Sequence, residues 1–215
     1  MNTLIFDLDG TLVDSAPGII ASLTHAVRAL GHEFAPFTGI EHLLGPPMTQ
    51  VVSQLLAPFG DDRIAQGVEL YRTHYGRYGL SASQVYPGIR QMIARLITQG
   101  YTLHVATSKR QVFAEHILNQ TGLREHFQSV FGTSPDGTLD NKARLVQTLL
   151  AAEAIHPSSA CMVGDKRDDV IAAHQNGLLA IGVLWGYGTR SELMECGADT
   201  LVELPTQLTD AILKK

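Results

Sequence analysis

LIFDLDGTLVDS, residues 4–15, is the stretch whose reading decides the rest of the chain. Its first half is apolar and strand-forming, and it closes on two carboxylates, Asp7 and Asp9, one residue apart, followed at once by Gly10 and Thr11. A strand that ends in charge and then in a turn glycine is a mount for chemistry at its carboxyl end.

Working outward, further strands are predicted at 102–108, 128–133, 159–165 and 179–185, with the first at 3–8. They are mostly unbroken apolar runs, the pattern of strands covered on both faces. Between them Ile89, Met92, Ile93, Leu96 and Ile97 recur at helical spacing, with Pro87 near the start and Gly100 past the end. Leu145, Val146, Leu149 and Leu150 do the same after Lys142. The alternation predicts an α/β fold with a Rossmann-like parallel sheet, right-handed crossovers and helices on both faces.

The first connection is far longer than a crossover needs. Within it Ile19, Ile20, Leu23, Ala26, Val27 and Leu30 form one helical face, with Ser15 as its cap, Pro17 in its first turn and Gly31 at its end. Helical runs also follow GPPM (45–48) and span IAQGVELYRTHY (64–75). The expectation is an α/β core of residues 1–14 and 84–215 and an inserted α-helical domain of residues 15–83.

Composition narrows the function. The chain has 215 residues, 45% hydrophobic and 17% charged, enough apolar material for one large or two small cores. A formal charge of -5 with no like-charge run argues against nucleic acid or anionic lipid as a partner. Cys161 and Cys196 are too few for a disulfide scaffold, and no basic leader or membrane-length apolar run occurs. The expectation is a complete cytoplasmic protein, monomer or homodimer, acting on a small molecule.

Ligands of open α/β sheets bind beyond the carboxyl ends of the strands. Asp7 and Asp9 end the first strand, Asp165 ends the strand ACMVGD, and Asp168 and Asp169 fall in the following turn. Carboxylates brought together share protons or hold a cation, and a hard ion that accepts carboxylates, water and phosphate is Mg²⁺. Thr107 and Ser108 of ATSK add hydroxyls and amides at another strand end, and Lys142 adds positive charge. Together they describe a phosphate site. The nine histidines show no zinc-site spacing. His42 in IEHLLGPP is the one whose loop would face a substrate, packing being the alternative; Trp185 is read as pocket rim or packing.

DLDGTLVDS, ATSK, the downstream Lys142 and GDKRDD resemble the motifs of the haloacid dehalogenase superfamily of phosphohydrolases, and the helical insert resembles that family's cap. GPPM and YPGI look most like its phosphoglycolate phosphatase-like branch. The resemblance implies that Asp7 is the nucleophile of a phospho-aspartyl intermediate and that Asp9 is acid, then base. It also implies Mg²⁺ held by Asp7, the Asp9 carbonyl and Asp165, with Asp169 acting through water, and a small phosphorylated metabolite as substrate. Two departures stand out. NKARL lacks the proline that often follows the third-motif lysine, so Lys109 competes with Lys142, and Lys166 stands where a small residue is common, near the site or turned to solvent. A phosphosugar mutase shares this core, and a phospho-acceptor module would use a strand-end Asp without needing Asp9.

Overall fold

The structure is a computed structural model that describes residues 2–33, 44–135 and 137–213. The chain runs β1 (Thr3–Phe6), β2 (Val13–Asp14), α1 (Ala16–Ala29), α2 (Met48–Leu56), α3 (Ile64–His74), β3 (Gln84–Val85), α4 (Ile89–Thr98), β4 (Thr102–Arg110) and α5 (Gln111–Gln120). It continues through β5 (Ser129–Thr133), α6 (Lys142–Ala152), β6 (Ala160–Gly164), α7 (Arg167–Gln175), β7 (Leu179–Val183), α8 (Arg190–Glu195), β8 (Thr200–Val202) and α9 (Pro205–Leu213).

Six strands form a parallel sheet in the order β5-β4-β1-β6-β7-β8. Alternate residues of each strand serve opposite faces. Leu4, Phe6, Cys161 and Val163 pack with α4, α5 and α9, whereas Ile5, Ala160 and Met162 pack with α6, α7 and α8. Burial on both sides explains the unbroken apolar runs.

β1 ends two residues sooner than the sequence suggests. The Asp7 amide still donates to Val163, but the Leu8 carbonyl then accepts from the amides of Thr11, Leu12 and Val13, so the chain turns out of the ladder. It then crosses into the helical insert. The outgoing β2 pairs antiparallel with the returning β3, Val13 opposite Val85 and Asp14 opposite Gln84.

The insert holds α1, α2, α3 and a π-helical turn at Tyr75–Gly79. Its apolar side, including Leu23, Leu56 and Tyr75, belongs to the same continuous cluster as Leu4 and Phe6 of the sheet. Ser15 sits at the N-cap position but makes no side-chain cap; its hydroxyl is directed to Asp9 instead. Strand β8 went unpredicted, and Asp168 and Asp169 lie inside the first turn of α7 rather than in a turn before it.

Candidate active site

β1 and β6 are adjacent and parallel, so their carboxyl ends bring Asp7 and Asp165 to one edge of the sheet. The first turn of α7 adds Asp169. One carboxylate oxygen from each of the three lies within 4.8 Å of the others, and all three residues are buried. The approach is close enough to dictate glycine at position 10. Gly10 has φ +82°, and a Cβ there would fall 2.3 Å from Asp165 Oδ2.

Each carboxylate is fixed by neighbours. Asp165 accepts hydrogen bonds from Thr11 Oγ1 (3.0 Å) and the Tyr187 amide (2.8 Å). Asp169 accepts one from the Lys166 amide at 2.9 Å. Lys142, at the first position of α6, puts Nζ 2.6 Å from both Asp7 Oδ1 and Asp169 Oδ1. The ammonium is the one cation bridging the two carboxylates among the described residues.

Three carboxylates against one ammonium leave two excess negative charges when all are ionised. Burial pushes Asp7 up to about 7, with Asp169 and Asp9 adding repulsion and Lys142 opposing it. Burial also pushes Asp165 up to about 8, reinforced by Asp169 and Asp7. Burial pulls the Lys142 ammonium down, but Asp169 and Asp7 outweigh it and its pKa is raised. A divalent cation would cancel the excess, and buried carboxylate oxygens from three residues within 4.8 Å of one another are the donor set such an ion takes, so the residues present fit it.

Asp9 is held apart from this triad. Its Oδ1 accepts from Ser15 Oγ at 2.5 Å and its Oδ2 pairs with Lys109 Nζ at 2.9 Å. Lys109 in turn donates to Tyr75 Oη at 2.9 Å and lies 4.5 Å from that ring's centre. The choice between two lysines therefore resolves into two positions: Lys142 serves Asp7 and Lys109 serves Asp9.

Asp7 and Asp9 open into a pocket between sheet and insert. Thr107, Ser108, Lys109 and Arg110 line the sheet side; residues 44–49, Tyr71 and Arg72 line the insert side. The β4–β5 pairing is irregular between Ala106 and Arg110, a bulge of the kind that re-aims side chains at strand ends. Thr107 is buried, and its Oγ1 accepts from the Lys109 amide at 3.2 Å. Gly45, Pro46, Pro47 and Met48 all face the pocket, whereas His42 lies outside the described residues.

Three positions left open by the sequence are now placed. Asp168 is half-buried and outside the triad. Trp185 donates Nε1–H to the Thr11 carbonyl at 2.9 Å and is absent from the pocket wall, so it packs. Lys166 does not turn to solvent: it is buried, its stem lies beside Gly45, and Nζ reaches Glu192 at 3.5 Å. Tyr187 was missed altogether. Besides its amide bond to Asp165, its hydroxyl accepts from the amides of Ser15 (2.8 Å) and Ala16 (3.0 Å) and donates to Asp14 (3.0 Å). The available signal was its setting in WGYG, since a Cβ on Gly188 would fall 1.7 Å from the Asp165 carbonyl.

Comparison with known proteins agrees with this geometry. The chain is 36% identical over 190 residues to a 5'-nucleotidase of Pseudomonas aeruginosa, covering 88% of this chain and 86% of that one. It is 31% identical to a phosphoglycolate phosphatase of Synechococcus elongatus, covering 99% and 97%. The crystal structure of a predicted phosphatase from Clostridium acetobutylicum superposes with a TM-score of 0.93 at 32% identity, covering 100% of this chain and 99% of that one. The profile of the haloacid dehalogenase-like hydrolases matches residues 4–183. The chain belongs to the haloacid dehalogenase-like hydrolase family, on the side of its phosphatases.

Proposed function

We propose that the chain is a Mg²⁺-dependent hydrolase of small phosphate monoesters that works through a phospho-aspartyl intermediate on Asp7. The observation that carries this reading is the convergence of Asp7, Asp165 and Asp169 within 4.8 Å, beside a second carboxylate, Asp9, held separately by Ser15 and Lys109. Two carboxylates kept in different surroundings suit two different tasks.

In the first half-reaction an Asp7 oxygen attacks phosphorus, the bond from phosphorus to the ester oxygen breaks, and Asp9 gives that oxygen its proton. In the second, Asp9 takes a proton from water as the water attacks phosphorus; the Asp7–phosphorus bond breaks and phosphate leaves. Ser15 and Lys109 hold Asp9 in one orientation for both steps. In this reading Thr107, the Ser108 amide and Lys142 stabilise charge on the phosphoryl oxygens, which is where most acceleration arises in phosphoryl transfer. A divalent ion bound by Asp7, Asp165 and Asp169, with the Asp9 carbonyl, would supply further charge neutralisation there.

The insert acts as a cap, hinged where β2 and β3 pair, and excludes water over Asp7 and Asp9. Among the described residues no helix is long and apolar enough to cross a membrane. Among the described residues Cys161 and Cys196 form no disulfide, which fits a reducing, cytoplasmic setting. The test is phosphate release from p-nitrophenyl phosphate and a panel of phosphorylated metabolites. Turnover should need Mg²⁺ and vanish in excess chelator; full activity in chelator, or stoichiometric labelling without turnover, overturns the proposal.

A further inference from the structure

Setting aside the paired charges of the pocket wall leaves three charged side chains that the chemistry above does not use. Asp7 is matched by Lys142 and Asp9 by Lys109. What remains is Arg72 from α3 of the insert, Arg110 at the end of β4, and one carboxylate, Asp140. Among the described residues neither guanidinium has an ion pair or a side-chain hydrogen bond. The Nε of Arg110 is buried with no acceptor. Burial first, and then the nearby positive charge of Arg110, push the Arg72 pKa below its ordinary value, while Asp140 and Glu69 partly offset them.

Two guanidiniums that repel across one pocket, one of them with a buried donor lacking an acceptor, are costly unless something anionic enters. Asp140 balances at most one of them. Arg110 follows Thr107, Ser108 and Lys109 through the bulged end of β4 and lines the same pocket as they and Arg72 do, so the excess positive charge borders the phosphoryl site. From this arrangement we infer that Arg72 and Arg110 form a second anion subsite, and that the substrates are short phosphate monoesters bearing another anionic group, a carboxylate or a second phosphate. The inference rests on the phosphatase reading and deepens it. It also places one arm of the subsite on the insert and one on the sheet, so a dianionic substrate would draw the two together.

Matched substrates test it on the wild-type enzyme. In 2-phosphoglycolate against ethyl phosphate the carboxylate is the added anion; in propane-1,3-diol bisphosphate against propyl phosphate it is a phosphate. The expected result is a preference of about 100-fold in kcat/KM for the anionic member of at least one pair, chiefly through KM. The pair with the larger preference identifies the anion. Arg72→Gln and Arg110→Gln should each reduce that preference about tenfold, and Arg→Lys variants should keep part of it. Equal kcat/KM within both pairs, with phosphate still released, overturns the subsite and leaves the phosphatase reading intact. Equal losses on both members of a pair in the Gln variants also overturn it, making the arginines structural. No phosphate from any of the four compounds overturns the phosphatase reading itself.

Discussion

The two walls of the pocket handle charge in opposite ways. On the sheet side the carboxylates sit at strand and helix ends with their neighbours fixed: Lys142 bridges Asp7 and Asp169, Thr11 and Tyr187 hold Asp165, and Lys109 and Ser15 hold Asp9. On the insert side the wall is made of Leu44, the Pro46–Pro47 pair, Met48 and Tyr71, with Arg72 unpaired among them. Charge fixed in place by neighbours suits a reaction whose acceleration depends on positioned electrostatics. An apolar wall with an uncompensated cation suits choosing what enters. The difference supports the proposed division, with chemistry in the core and selection in the cap.

The largest effect that would break this division is at Asp7. Asp7→Asn keeps the volume and removes the nucleophile, so kcat should fall by at least about 10⁴ with an unchanged circular dichroism spectrum. Phosphate release within tenfold of wild type, with deamidation excluded by mass spectrometry, would remove the core from the chemistry.

The two lysines sharpen it. Lys142→Met strips the counter-charge from Asp7 and Asp169, and should cost about 10²–10³ in kcat for every substrate, whatever its leaving group. Lys109→Met touches Asp9, so its loss, about 10–10², should grow as the leaving alcohol becomes a poorer leaving group and shrink for p-nitrophenol. The two dependences are read from a series of aryl and alkyl phosphates. Identical slopes for both variants would mean that the lysines do not serve separate carboxylates.

The smallest effect is on stability. Folding raises Asp7 from 3.8 to about 7 and Asp165 from 3.8 to about 8. Between these limits the folded, metal-free protein holds protons that the unfolded chain has released. The associated stability is present below about pH 4 and is lost as pH rises through 7 to 8. Differential scanning fluorimetry in chelator should show Tm falling by several degrees from pH 5 to pH 8, and saturating Mg²⁺ should remove the fall. A chelated protein whose Tm rises over that range would contradict the charge balance drawn for the triad.

What could be read from the sequence follows the same division. The sheet was legible because strands buried on both faces must be apolar throughout, and the parallel topology then put Asp7 and Asp165 at one edge. Strand β8 escaped because TLV is three residues long on the sheet edge, with two of the three only partly buried. The pairing of Lys109 with Asp9 depends on a bulge in β4 and on Tyr75 arriving from a π-helical turn, neither of which has a periodic signature. Ser15 looks like a helix cap by type and position, yet an acceptor across the turn outcompetes the cap. Arg72 and Arg110 belong to no motif and acquire their setting only from the pocket wall, and Tyr187 acts through contacts more than 170 residues away in sequence.

The most direct test of the central claim is to find the phosphoryl group on the protein. Wild-type enzyme and the Asp9→Asn variant, mixed with Mg²⁺ and p-nitrophenyl phosphate and quenched in acid, are treated with borohydride, which reduces an aspartyl phosphate to homoserine, and then digested for peptide mass spectrometry. The account predicts homoserine at position 7 in both proteins, at higher occupancy in Asp9→Asn because water attack is slowed while this good leaving group still departs. Homoserine at another aspartate, or a single turnover of phosphate release with position 7 unmodified in both proteins, would contradict it.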